Sequence, residues 1–349
     1  MKIEKAFVVT TVLAAIGSVF GANFQQTPYV QHPATNAMSL IWFTDSACEA
    51  TVKWRPEAGG DERQAVTTGI LAPALTNNVY QGESGITPKY RHRVRMTDLE
   101  PGTRYSYSVT LPDGTSYANT FKTAPEGNSP IRFMYFNDSE TKPDNPNTSD
   151  WADPNNNDKT RTYYITPTEG YKQGLTRMKS RNPDLFVMAG DLAWKGGYQT
   201  HWDEFWRHNA GGLGTGYDDP AGSIPILAAI GNHDLQDAAA CPPKASALAH
   251  CEHYLGGESA LERYLSYFEY EPNGVDFSDV DDRDRSQMFH RVDYGPVTFI
   301  FLDTNNGDTA IPRRIRTRGF SATPPWPHPM VCRQDGLPTS IPVRSSTRG

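Results

Sequence analysis

Three apolar runs in this chain each stop on a short polar motif, and no other feature restricts the fold as much. Residues 131–136 end at Asn137-Asp138, residues 185–189 at Gly190-Asp191, and residues 224–230 at Gly231-Asn232-His233-Asp234. Runs of this length suit strands buried on both faces of a central parallel sheet. In open α/β sheets, ligands gather at the carboxyl ends of such strands. Two carboxylates, an amide oxygen and an imidazole are therefore expected on one rim. Asp138, Asp191 and Asn232 carry oxygens of the kind that Fe, Mn or Zn accept. They are the candidate metal ligands, with Asp191, on the middle motif, as the candidate bridge between two cations. Two cations about 3.5–4 Å apart can hold a shared water as hydroxide and neutralise the oxygens of an in-line displacement. His233 is the candidate catalytic residue, placed to hydrogen-bond a phosphate or to protonate a leaving alkoxide. Taken singly the motifs are weak, because a lone Asp at a strand end is usually a cap and Gly-Asp is a common turn. Gly-Asn-His-Asp after a long apolar strand is the specific signal.

The rest of the chain frames that rim. A length of 349 residues implies about two domains, and a net charge of −7 argues against nonspecific nucleic-acid binding. Residues 39–44, 50–54, 91–96 and 105–109 alternate as half-buried strands do. Glu57-Ala58-Gly59-Gly60, Pro101-Gly102 and Asp113-Gly114 supply turn chemistry between them. An antiparallel β-sandwich over residues 23–124 is expected, closed by a linker near Thr123-Ala124-Pro125-Glu126-Gly127. Beyond it strands alternate with helices. Residues 169–180 place Tyr171, Leu175 and Met178 on one face. A helix after Thr200 carries Trp202, Phe205 and Trp206, with Asp203 completing a capping-box pattern. Ser259 opens another helix, with Leu261, Tyr264, Leu265 and Phe268, and residues 297–302 read as a fourth buried strand ending at Asp303-Thr304. The fold class is thus α+β with two domains, the second a layered α/β domain over residues 125–306 that is incomplete.

Lys2 and Lys5 precede an apolar stretch over residues 6–16, and Val19 and Gly21 fit the small positions of a cleavage site. Residues 1–22 therefore read as a signal peptide, with export and no membrane contact after cleavage; an uncleaved anchor is the alternative. Cys241 and Cys251 are spaced for a local disulfide in an oxidising compartment, and a Cys/His zinc site with His250 and His253 is the rival. Cys48 and Cys332 have no evident partner. Residues 307–349 hold seven prolines and seven arginines but no lysine, so no packed structure is expected there. Either this is a disordered tail, or the native reading frame or gene end has been lost, which the onset of the bias inside a domain favours. Residues 211–216 are Gly-rich without the context of a nucleotide fingerprint, and the acidic run 276–284 lacks calcium-loop spacing. Asn147-Thr148-Ser149 is a glycosylation acceptor only in a eukaryotic source.

These motifs carry a resemblance. Leu99-Glu100-Pro101-Gly102-Thr103-Arg104-Tyr105 resembles the tyrosine-corner segment of fibronectin type III sandwiches. Over roughly residues 24–306 the chain resembles the calcineurin-like metallophosphoesterase superfamily, and within it the purple acid phosphatases, which also carry a fibronectin-like domain first. The resemblance implies that Asp138, Asp191 (bridging) and Asn232 hold two metal ions, and that His233 contacts substrate. It further implies a secreted phosphatase of acid-phosphatase type, cleaving small phosphate monoesters by attack of a metal-held hydroxide. A phosphodiesterase or nucleotidase of the same superfamily is the near alternative, and a non-catalytic exported binding protein with a degraded site is the distant one. Three departures stand out. Trp194 occupies the place of the family's Tyr ligand, and an indole N–H cannot ligate. Glu140 stands in Asp138-Ser139-Glu140 where the family has Gly or His; it is either a substitute oxygen ligand or a solvated loop residue. The downstream Val-x-x-His and Gly-His-x-His motifs are missing, which removes imidazole ligands and implies weaker metal binding and impaired activity.

Overall fold

In this computed structural model the described residues are 21–75, 86–143, 151–152, 160–161, 165–211, 218–235, 258–271, 273 and 289–303. Residues 1–20 of the signal peptide expected over 1–22, Cys241 and Cys251 with His250 and His253, the acidic run 276–284, the Asn147 acceptor, most of the 211–216 loop and the 307–349 tail lie outside them.

The N-terminal part forms two four-stranded antiparallel sheets. One runs β1 (Phe24–Gln31), β2 (Met38–Thr44), β6 (Tyr90–Met96), β5 (Ile70–Leu71), and the other β4 (Arg63–Thr68), β3 (Glu49–Pro56), β7 (Arg104–Thr110), β8 (Ser116–Lys122). Their inner faces share one core, with Met38, Leu40, Trp42 and Val94 from the first sheet against Val52, Tyr107, Val109 and Phe121 from the second. The expected turn at Asp113-Gly114 joins β7 to β8, with Gly114 at φ +88°, a conformation that favours glycine. The Tyr105 hydroxyl accepts the Glu100 N–H at 2.8 Å, which pins the corner expected over residues 99–105.

The C-terminal part is built on a parallel sheet in the order β13 (Ile226–Ala228), β12 (Leu185–Met188), β9 (Phe133–Phe136). Short strands β10 (Trp151–Ala152) and β11 (Thr160–Arg161) pair with each other. Helices α1 (Pro167–Lys179), α2 (Gln199–Ala210) and α3 (Glu258–Tyr267) complete the layer. Helix α1 starts on Thr166, whose hydroxyl accepts the Glu169 N–H at 3.2 Å, in a Thr-Pro-Thr-Glu segment that combines a cap with Pro at the first turn. The capping box expected at Thr200 and Asp203 does not form. The helix begins after Tyr198 with no side-chain cap, and Asp203 is instead paired with Lys89 at 3.0 Å and with the Gln199 amide at 2.9 Å.

Three strands differ from their expected burial. β9 turns Phe133 and Tyr135 toward an open groove, with 40% and 63% of their surface exposed. β15 (Val297–Phe301) does not join the parallel sheet but forms an antiparallel hairpin with β14 (His290–Tyr294). Its residues alternate, leaving Ile300 69% exposed. A continuous apolar run guarantees two buried faces only where a second layer covers the outer one.

The third difference is β2, expected half-buried and in fact buried along its whole length. Its outward residues Ile41 and Phe43, with Tyr29 of β1, belong to the core of the α/β part. Tyr29 stacks on Trp206 at 4.2 Å and donates to the Tyr267 carbonyl at 2.8 Å. Charge reinforces this contact. The Glu269 carboxylate takes hydrogen bonds from Arg93, from Arg91 at 3.4 Å and from Ser39 at 2.9 Å. Burial by itself would raise the Glu269 carboxyl, but the His32 ring 3.7 Å away, hydrogen bonds from Arg93 and Ser39 and the Arg93 charge outweigh it and hold it well below the usual carboxylate range. A carboxyl lowered on folding stabilises above its unfolded value, about 4.3, and that stabilisation is lost as pH falls below it. Glu269→Gln is therefore expected to lower stability by roughly 2 kcal/mol at neutral pH. The deficit should shrink toward pH 3 on the order of the unfolded titration, which urea midpoints at several pH values would show. A deficit independent of pH would contradict this account.

Candidate metal centre

The three parallel strands deliver Asn137-Asp138, Gly190-Asp191 and Gly231-Asn232 to one edge of the sheet, as their order requires. There Asp138, Asp191 and Asn232 line a single groove of about 630 Å³. The loop after β9 runs alongside the loop after β12, so the pairing continues past the strand ends. Asp138 N–H bonds the Gly190 carbonyl at 3.2 Å, Glu140 N–H the Asp191 carbonyl at 2.9 Å, and Thr141 N–H the Leu192 carbonyl at 3.1 Å. That register sets Glu140 beside Asp191.

The loops after β12 and β13 are tied as closely. A Cβ on Gly190 would meet Gly231 Cα at 2.7 Å, and Gly190 has φ +104°, so glycine is required where these two turns touch. Asp191 Oδ1 accepts the His233 N–H at 2.9 Å. In the reverse direction the buried Asp234 carboxylate accepts Leu192 N–H at 2.8 Å, Ala193 N–H at 3.0 Å and Gly231 N–H at 2.9 Å. Burial pushes the Asp234 carboxyl up to about 7, with the Asp191 charge adding to it and those three N–H groups opposing it. Asp138, Glu140 and Asp191 all have positive φ, at 53°, 39° and 53°, a conformation that L-residues other than Asn and Asp seldom adopt. Such strain concentrates at sites where the surroundings over-determine the backbone.

Of the residues expected at the site, Asp191 lies at its centre. One ligating atom from each of Glu140, Asp191 and His233 lies within 4.8 Å of the other two. Asp138 is exposed at the groove and is not in that cluster, its carboxylate taking a hydrogen bond from the Asn137 amide. Asn232 lines the groove with it. Neither Glu140 nor His233 is part of the groove wall. Burial raises the Glu140 carboxyl, His233 acts against it, and the charges of Asp191 and Asp138 add to the rise. His233 Nδ1 lies 2.7 Å from the Trp194 carbonyl. A carbonyl only accepts, so Nδ1 donates here, while Nε2 lies 3.8 Å from Glu140 Oε1. The Trp194 indole, standing where a Tyr ligand was expected by resemblance, packs 5.1 Å from the His233 ring and under the Lys142 ammonium. His290 is stacked between Tyr270 and Phe301 at 3.7 and 4.4 Å and is a core residue.

The donor chemistry fits a divalent cation. Carboxylate oxygens, an amide oxygen and an imidazole nitrogen at one rim are the ligands that Mn, Fe and Zn share. Sequence reasoning missed the bracing role of Asp234, whose only signal was the fourth letter of Gly-Asn-His-Asp, and left Glu140 between two readings.

Comparison with known proteins agrees with this geometry. The family model described as Purple acid Phosphatase, N-terminal domain, matches residues 25–123, and the one described as Calcineurin-like phosphoesterase matches residues 147–312. Asp191, Asn232 and His233 fall inside the second match; Asp138 and Glu140 precede it. Two uncharacterised proteins of Mycobacterium tuberculosis are each 26% identical over 149 residues, 39% of this chain and 28% of theirs. The chain thus spans less than a third of the curated relatives it matches. Among solved structures, the purple acid phosphatase PPD1 of yellow lupin (Lupinus luteus) seeds superposes with a TM-score of 0.52 at 19% identity, over 80% of this chain and 46% of that one. PhoD superposes with a TM-score of 0.50 at 13% identity, over 83% and 53%. At such identities the likeness shows the fold. With both family models matched in this order, and with three strand ends presenting Asp138, Asp191 and Asn232 to one groove, the chain joins a purple acid phosphatase N-terminal domain over residues 25–123 to a calcineurin-like phosphoesterase domain over residues 147–312.

Proposed function

We propose that this chain is a metal-dependent phosphatase that hydrolyses small phosphate monoesters and acts outside the cytoplasm. The observation that carries the proposal is the convergence of three parallel strand ends on one groove, with Asp191 between the loops bearing Asp138 and Asn232. A pair of divalent or trivalent ions, Fe, Mn or Zn, supplies positive charge for phosphate oxygens and acidifies water near neutral pH. Asp138, Asp191 and Asn232 would hold these ions, with Asp191, between the other two loops, the residue best placed to be shared. The brace through Asp234 and His233 N–H holds the two loops at fixed separation, so the donors do not have to be ordered at the moment of binding. The other wall of the groove is apolar, formed by Phe133, Tyr135, Phe299 and Ile300, and suits an aromatic or aliphatic leaving group over the phosphate end. The export reading rests on the leader-like N-terminus.

The test uses the purified chain, stripped with a chelator and then supplied with Mn²⁺ or Zn²⁺, against an aryl phosphate monoester and its diester. Hydrolysis of the monoester is expected to vanish on stripping and return with the metal. Preference for the diester would move the assignment to a phosphodiesterase. Folded protein that neither retains metal nor turns over either ester would sink the phosphatase reading and favour the exported binding protein.

A further inference from the structure

We propose that Lys142 and Lys195 form a second anion site beside the rim, and that the preferred substrates are phosphate monoesters whose alcohol carries a second phosphate. This rests on the phosphatase reading above and adds a substrate class to it. The two lysines belong to different loops, after β9 and after β12, which run side by side. Thr141 N–H bonds the Leu192 carbonyl and Trp194 N–H the Thr141 carbonyl, both at 3.1 Å. His201 of α2 ties both loops down. Its carbonyl accepts the Thr141 hydroxyl at 3.2 Å, and its Nδ1 accepts the Lys195 N–H at 3.0 Å. Burial first, then the Lys195 and Lys142 charges, push the His201 imidazole down to about 4. Both ammonium groups therefore lie near one ring, and Nδ1 stays an acceptor at neutral pH. Each ammonium is also set over an aromatic face, Lys142 Nζ 5.4 Å from the Trp194 centroid and Lys195 Nζ 5.9 Å from that of Tyr198. A ring face positions a cation without neutralising it. Among the described residues no carboxylate pairs with Lys195, and the Glu140 carboxylate turns toward His233 at 3.8 Å. Two like charges held together raise each other's energy, which an anion beside both relieves. The Trp194 ring links this patch to the rim, packing 5.1 Å from the His233 ring. Neither lysine lines the groove, so a charged group bound here sits apart from the apolar wall. Lysine takes phosphate as a point charge, so the site selects charge rather than the skeleton that carries it.

The probes are pentyl phosphate and 5-phosphonopentyl phosphate, which differ by one terminal phosphonate. That group stands in for the second phosphate and, not being an ester, stays uncleaved. With the full chain supplied with Mn²⁺, kcat/KM for phosphate release from the second is expected to exceed that from the first about tenfold. The advantage should shrink as salt is raised to about 1 M. Lys142→Gln combined with Lys195→Gln should bring the ratio close to one. Lys142→Arg combined with Lys195→Arg, which keeps both charges, should retain most of it, with circular dichroism unchanged in either case. A ratio near one in the wild type overturns the inference and leaves the phosphatase reading standing, and that outcome needs no variant to fold. A high ratio that survives the double Gln change puts the preference elsewhere and overturns it too. Calorimetry with pentylphosphonate and pentane-1,5-bisphosphonate separates the two readings, because it needs no turnover. Tighter binding of the bisphosphonate, lost in the double Gln variant, supports the second site even if neither ester is hydrolysed. Equal affinity for the two phosphonates sinks it.

Discussion

Asp191→Asn is expected to lower hydrolysis of an aryl phosphate by at least about a thousandfold, equivalent to about 4 kcal/mol of transition-state stabilisation, while leaving the fold intact. The two effects separate because Asp191 has two jobs on two atoms. Its Oδ1 accepts the His233 N–H at 2.9 Å, a task that an amide oxygen performs as well as a carboxylate. The other oxygen and the negative charge are what a cation requires, and an amide supplies neither the charge nor a second acceptor. Asp191 is also the one residue shared by the groove and the Glu140–His233 cluster, so no neighbour replaces it. Steady-state rates and bound metal, measured on the same preparation, check this. A variant with normal rate and full metal content would show that the strand-end carboxylate is a turn residue and nothing more.

Asp234→Ala should produce the largest loss of stability of any single substitution near the rim, on the order of 4 kcal/mol, or roughly a 10 °C drop in Tm. The side chain is buried, and its two oxygens hold three backbone N–H groups from two different loops. Truncation leaves all three donors without a partner in a site closed to bulk water, and each unsatisfied group costs about 1–3 kcal/mol. Asp234→Asn is expected to be milder. Its carboxamide oxygen can still serve one loop, but its NH₂ then faces the N–H of the other. Metal affinity should fall in parallel with stability, because the same bonds fix the separation of Asp191 from Asn232. Thermal melts of the two variants decide the matter, and an Ala variant that melts like the wild type would remove Asp234 from the framework of the site.

The strand-end motifs were legible because each couples a long apolar run to an abrupt polar stop, and that pattern needs no partner to be recognised. Helix α2 was legible for a similar reason, its Trp202, Phe205 and Trp206 falling on a buried stripe. Strands β1, β4 and β8 carried no such mark, since Gln, Thr and Ser interrupt their alternation. The start of α2 was misread because Asp203 had a choice of partners, and Lys89, more than a hundred residues earlier in the chain, offered an ion pair that a local cap could not match.

By its order of residues alone, this chain determined that two differently patterned halves would form and that Asp138, Asp191 and Asn232 would emerge at neighbouring strand ends. Periodicity and turn chemistry act over a few residues, so the linear text carries them. What only the tertiary structure decided is which faces are covered and which donors meet. β2 is buried on both faces because α3 and the segment after it pack on its outer side, Tyr267 on Phe43 and Glu269 on Ser39, and β9 and β15 stay part-exposed because Phe133, Tyr135 and Ile300 line an open groove. Glu140 faces His233 because two loops far apart in sequence lie in register. Such contacts arise from surfaces brought together across the whole chain, and no local pattern encodes them.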